Sequence, residues 1–345
     1  MNAQIILLLS QDGITNGAIY ALLALALVLV FAVTRVIYIP QGEYVALGAL
    51  TVASLQAGKT PGTVWLLIGF GAAVVVVELA IALKSGRWRA AWRAAGWNLA
   101  YPLAAALVVM TLDVQTLPLA AQVALALVLV VPLGPMIYRL AFQPIAHASV
   151  LVLLIVAVAV HFVLVGLALL FFGAEGRRTQ PFTDARFELG AITLNGQALW
   201  VIAASCVLIV VLYVFFERTI YGKALRATAM NRTGARLMGI STVLAGKLSF
   251  LLAALIGALS GVLIAPLTTI YYDTGFMIGL KGFVAAIVGG LASYPAAAAG
   301  ALLVGLLESF SSFWASSFKE VIVFTLIIPV LLWRSLTSAH HDEDE

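Results

Sequence analysis

The sequence predicts an all-α fold, a single polytopic transmembrane helical bundle of about ten or eleven spans over 1–345. Three observations carry this. Hydrophobic residues make up 63% of the 345 positions and charged residues only 10%, where a soluble domain carries roughly 25% charged; the mean hydropathy is +1.11. Apolar runs recur from Ile5 to Trp333 without a long polar stretch between them, and in lipid only a helix satisfies all of its backbone groups within one segment. The basic residues fall in short clusters between these runs, as in cytoplasmic loops. That placement explains the net charge of +4 and the pI near 9.2; it points to a lipid bilayer and to no nucleic acid.

The first run, 5–33, is too long for a signal h-region. It lacks a basic n-region and a small-residue cleavage site, so it is expected to stay as a helix. The next runs are 42–57, 63–83, a weaker 97–112 broken by Pro102 and followed by Asp113, then 119–138 and 149–172. The run 199–216 encloses the single Cys206, which leaves no disulfide framework and no metal-ligand spacing. The series ends with 248–270, 276–292, 296–314 and 320–334. Alternate counting through all of these, 97–112 included, puts four basic clusters on one side together with Arg35. They are Lys84 with Arg87, Arg89 and Arg93; Arg139; the group from Arg218 to Lys247; and Arg334. Provided that 42–57 and 276–292 cross rather than re-enter, that side is then cytoplasmic, the N-terminus is outside, and the acidic tail over 336–345 is inside.

Two connections are long. Gly173–Ala198, with Glu175, Arg177, Arg178, Asp184, Arg186 and Glu188 and the alternating run Phe187–Leu194, falls on the outer side; it is either a surface for an external partner or a hairpin that links two spans. Glu217–Lys247 is strongly basic and falls inside. From Lys223 to Met238 it holds good helix formers, with Gly222 and Gly239 as start and stop of one short amphipathic helix. Its arginines face either a partner protein or anionic lipid.

This loop carries a family resemblance. The pattern T-x-x-G-x-A-x-R-A-x-A-x-N-x-x-x-A-x-L-M-G-I from Thr219 to Ile240 resembles the cytoplasmic coupling loop in permeases of high-affinity branched-chain amino acid ABC transporters. Gly13–Leu22 is similar to the family's opening helix, and Ile39-Pro-Gln-Gly-Glu43 to the segment that follows it. Tyr138–Pro144 resembles the family's Glu-Arg-x-x-Tyr-Arg-Pro loop, and Gly279–Ser293 and Gly305–Ser309 are similar almost residue for residue. Residues 82–117 have no counterpart and are expected to be an insertion that adds a helix pair; Pro40-Gln41 and Ser293–Ala296 also depart from the family pattern.

The resemblance implies a type II ABC importer-like permease with broken or re-entrant helices in a bacterial inner membrane. It implies ABC ATPase subunits, a homologous second permease subunit and a periplasmic solute-binding protein as partners. The solutes implied are branched-chain amino acids or related small amphipathic molecules such as amides, urea and aromatic acids. The ATPase-coupling residues are then Gly222, Arg226, Ala229, Asn231, Arg232, Ala235, Arg236, Leu237, Met238 and Gly239 in the loop 217–247. No G-x-x-x-x-G-K-[ST] loop is present, so neither a catalytic site nor a cofactor is expected in this chain.

Polar residues inside spans are functional candidates. Asn16, Gln41, Glu43, Glu78 and Glu308 are those, with Glu43 expected to cap a half-helix, Glu78 to snorkel to the inner face and Glu308 to pair with Ser309 or Ser312. His161 reads as a satisfied core histidine. Tyr20, Tyr44, Phe276 and Phe283 either line the translocation path with Asn16, Gln41 and Glu43 or anchor spans at the interface. Gly257-x-x-x-Gly261 suits close helix packing, and Pro266, Gly275 and Gly279 suggest broken helices. The competing class is an ion-coupled secondary transporter, which requires intramembrane carboxylate pairs and an inverted repeat. A polytopic membrane enzyme would require clustered His, Asp, Ser or Cys near one face, and the four histidines, two of them in the tail, speak against it.

Overall fold

The computed structural model describes residues 3–337 except Arg87, Asp184, Gly190, Ala191 and Ala292. Arg87 of the first basic cluster, Asp184 of the outer loop and residues 338–345 of the acidic tail therefore lie outside the described residues. The helices are α1 (Ala3–Thr34), α2 (Glu43–Gln56), α3 (Gly62–Ser85), α4 (Trp88–Thr111), α5 (Leu119–Val130), α6 (Leu133–Ile137) and α7 (Val150–Phe172), followed by α8 (Gly196–Arg218), α9 (Ile220–Met230) and α10 (Arg232–Leu237). The chain closes with α11 (Thr242–Ile264), α12 (Thr274–Val288), α13 (Tyr294–Trp314), α14 (Lys319–Thr325) and α15 (Ile327–Thr337). The exception to the all-α pattern is an antiparallel hairpin, β1 (Arg186–Leu189) with β2 (Ile192–Asn195), in which Phe187 pairs with Leu194.

All of the predicted runs are helical, yet only 8 helical stretches among the described residues are long and apolar enough to cross a membrane. Three runs fall short of that length. In 97–112, the apolar part of α4 covers Ala95–Thr111, and α4 itself is the one helix that 82–117 contains, packed along α3. The runs 42–57 and 276–292 became α2 and α12, of 14 and 15 residues. At 1.5 Å per residue each spans roughly 21–23 Å against a hydrocarbon core of about 30 Å, so neither crosses as a straight helix.

The short helices are instead the centre of the bundle. From Glu43 to Leu55 every residue of α2 is buried, which suits a helix that is apolar on all sides. The chain reaches it through a reversal at Arg35, φ 62°, and a 3-10 turn over Ile39–Gly42. There α2 meets α12 so closely that a Cβ on Gly42 would strike the Gly275 carbonyl, and further along a Cβ on Gly261 of α11 would strike that of Val45. Close backbone approach is what small residues provide where lipid supplies no hydrophobic drive. Gly275 and Gly279 therefore pack inside α12; the break in the chain is the loop from Ala265 to Asp273 between α11 and α12.

Contacts define two ends. Arg35, Arg226, Leu291 and Tyr294 share one cavity, Glu78, Arg139 and Lys247 share another, and Arg232 reaches the Ala146 carbonyl. This basic end collects the end of α1, the segment after α6, and the starts of α11 and α13. At the far end, Arg177 donates to Ser54 (2.7 Å), Arg178 to the Pro266 carbonyl (2.8 Å) and Gln197 to the Leu263 carbonyl (3.0 Å). The long connection after α7 is thus stitched to α2, α8 and the end of α11.

Candidate functional site

The loop at the basic end is two helices with a break between them, where the sequence predicts one over Lys223–Met238. Thr219 caps α9, accepting from the Gly222 amide (3.0 Å), so the helix starts ahead of Gly222, which packs against Phe215 and Phe216. The break comes at Asn231, extended at φ −148° and ψ 102°, whose side chain accepts from the Gly234 amide (2.7 Å) and caps α10. An Asn that can cap competes with helix continuation, and here the cap wins. Gly239, at φ +81°, ends the second helix where the sequence places the stop.

Burial sorts the predicted coupling residues. Gly222, Leu225 and Thr228, three residues apart along α9, face the bundle with Ala235. Ala229 packs beside Leu225, Leu29 and Val33. Arg232 is half-buried and donates to the Ala146 carbonyl (3.2 Å), so it anchors the loop. Arg226 pairs with Glu217 at 2.5 Å on the surface. Arg236 is exposed with Asn231 and Gly239, and Met230, Leu237 and Met238 are 88%, 83% and 82% exposed. Outside any span, these large apolar side chains thus stand free between exposed arginines.

A second feature opens at the far end. A cavity of about 760 Å³ is bounded by α1, α8, α11, α12 and α13, and Asn16 and Tyr20 are among the residues that line it. Its floor is ionic. Lys281 Nζ lies 2.5 Å from Glu308 Oε1 and 3.2 Å from Glu320 Oε1, and the Tyr20 hydroxyl donates to Glu308 Oε2 at 2.5 Å. Lys281 and Glu308 retain only 7% and 11% side-chain exposure. This corrects the expectation that Glu308 pairs with a serine one turn away: Ser309 donates to the Leu9 carbonyl instead (2.6 Å). Charge held inside a membrane bundle is costly and tends to mark a path or a site.

The remaining path candidates lie elsewhere. Gln41 is fully buried and donates to the Ala253 carbonyl (2.9 Å). Glu43 makes no cap; its Oε1 sits 2.9 Å from His161 Nδ1, and the His161 ring stacks on Phe276 at 4.3 Å. His161 is thus satisfied, by a partner 118 residues away. One oxygen each of Gln41 and Glu43 is buried without a partner. Tyr44 shares a hydrogen bond with Tyr38 (2.8 Å) in the core, and Phe283 packs half-buried against that core. Glu78 does not snorkel freely: it accepts from Arg139 at 2.6 Å. Sequence reasoning missed Lys281, Glu320, Asp12 and Lys319. Lys281 carries a usable signal, a lone lysine inside the glycine-rich run 276–292.

The family described as branched-chain amino acid transport system, permease component, matches residues 88–331. A high-affinity branched-chain amino acid transport system permease protein, LivH of Escherichia coli, is 26% identical over 96% of this chain and 95% of its own length. The corresponding BraD permease of Pseudomonas aeruginosa is 28% identical over 66% of this chain and 76% of its own. A probable branched-chain amino acid transport permease of Methanocaldococcus jannaschii is 26% identical over 57% of this chain. No solved structure matches the chain.

Proposed function

This chain belongs to the permease components of branched-chain amino acid transport systems, and on that premise we propose that it is the membrane permease subunit of an ATP-driven ABC importer. It forms, with a homologous second permease, the path for branched-chain amino acids or related small amphipathic solutes handed over by a periplasmic binding protein. ATP hydrolysis takes place in separate ATPase subunits, to which α9 and α10 couple. The inner membrane is its location, with the basic end and the C-terminus cytoplasmic and the N-terminus outside, because Lys and Arg bias sets orientation.

One observation carries the reading: the exposed Met230, Leu237 and Met238 flanked by exposed arginines at the basic end. An apolar patch in water gains by docking into a groove of a partner, and a rigid two-helix loop can transmit the partner's closure into the bundle. The test is charge reversal of Arg236, because Arg232 anchors the loop and its loss would confound the result. Arg236→Glu is expected to lower ATP-dependent solute uptake by membrane vesicles by about tenfold, as a lost interface charge does, with unchanged membrane insertion. Normal uptake in this variant would count against coupling through α10.

A second reading, an ion-coupled secondary transporter, draws on the two carboxylates Glu308 and Glu320 that share Lys281. Uptake that persists without ATP and stops when ion gradients are collapsed would select it.

A further inference from the structure

We propose that the cavity of about 610 Å³ at the basic end, walled by α3, α4, α5, α6 and α11, takes the phosphate of an anionic phospholipid. This goes beyond the transport reading and uses none of it. Two cations that line the cavity, Arg139 and Lys247, face one carboxylate, Glu78, so a positive charge is left over. Arg139 and Glu78 keep only 13% and 21% side-chain exposure, and Lys247 is half-buried. Among the described residues, Arg139 spends one of its five N–H donors on Glu78, and Lys247 donates no hydrogen bond. A guanidinium fork and an ammonium with donors to spare suit the oxygens of a phosphate, and a partly desolvated surplus cation is costly until an anion meets it.

The rest of the lining says that this phosphate arrives on acyl chains. Val74, Leu127, Val128, Val131 and Leu251 form apolar walls beside the ions, and a free phosphate uses none of them. Trp97 lines the cavity and is nevertheless 73% exposed, so the cavity opens along α4. Seven and eleven residues further on, Ala104 and Val108 continue the same exposed face of that helix, an apolar track of roughly 16 Å at 1.5 Å per residue on which a hydrocarbon chain lies. Basic pockets between membrane helices hold anionic head groups in this way. A zwitterionic lipid brings its own ammonium to the surplus positive charge, whereas an anionic lipid brings none.

The test uses the full chain in phosphatidylcholine vesicles that contain increasing amounts of a lipid brominated in its acyl chains, which quenches the fluorescence of a tryptophan it touches. The share due to Trp97 is the difference from Trp97→Phe. That share is expected to be half-quenched at about fivefold lower mole fraction of brominated phosphatidylglycerol than of brominated phosphatidylcholine, the gain from one cation near anionic lipid. Lys247→Gln is expected to remove most of this preference and Lys247→Arg to keep it, while Lys84→Gln, exposed and outside the cavity, leaves it unchanged. Equal quenching by the two lipids overturns the site. A loss of preference in Lys84→Gln as large as that in Lys247→Gln overturns it too, since the attraction would then belong to the whole basic end. Excess inorganic phosphate is expected not to relieve the quenching; full relief would mean that the cavity takes a free phosphate and that the lipid assignment is wrong.

Discussion

The floor of the far-end cavity and the loop at the basic end invert the usual rule for their surroundings. Inside the bundle, where apolar side chains belong, sit the buried Lys281, Glu308 and Tyr20. Outside it, where charge belongs, Met230, Leu237 and Met238 stand more than 80% exposed. Each departure costs free energy unless something offsets it. In the cavity the offset is internal, a set of hydrogen bonds that ties Tyr20, Lys281, Glu308 and Glu320 together over four helices. On the loop no internal offset exists, and the proposed one is another protein.

The comparison breaks most sharply at Glu308. Removing one member of a buried ion pair leaves the other uncompensated, so Glu308→Ala is expected to cost about 3–5 kcal/mol, seen as a large drop in the thermal midpoint of the purified chain. Lys281→Met combined with Glu308→Gln should recover much of that loss, and no recovery would show that the charges do not act as a unit. On the loop the order reverses, with large effects on transport and small ones on stability. Leu237→Asp with Met238→Asp is expected to lower uptake by about 10- to 100-fold, the range for losing interface anchors, with a thermal midpoint near that of the unmodified chain. Asn231→Ala removes the cap of α10 and should cost about 1 kcal/mol, read as faster amide exchange over Arg232–Leu237. Arg226→Ala, which breaks the surface pair with Glu217, should change stability by no more than about 1 kcal/mol; a larger loss would mean that the loop is held by that pair.

Much of the fold was legible because spans are written locally. Runs such as 149–172 and 199–216 carry their hydropathy in consecutive residues, and α7 and α8 follow them closely. The loop was legible for the same reason, since Thr219, Asn231 and Gly239 punctuate helices within a few residues. What sequence reading predicted as one helix became two because it weighed helix formers and gave no weight to Asn231 as a cap. Glu43 was expected to cap a half-helix, Glu78 to snorkel to the inner face and Glu308 to pair with a serine one turn away, and none of the three was given a partner on another helix. Their partners, His161, Arg139 and Lys281, come from other helices, 118, 61 and 27 residues away.

The sequence by itself determined that the chain is a helical membrane bundle and that its basic residues fall in short clusters between the apolar runs. Hydropathy, charge bias and capping act over a turn or a span, so a linear reading captures them. Only the tertiary structure decided which short helices are central, where the cavity opens and which charges meet on its floor. Tyr20 and Glu308 lie 288 residues apart in the chain. Their meeting depends on how α1 packs on α13, and packing between helices in lipid is set by shape and hydrogen bonding rather than by any local pattern.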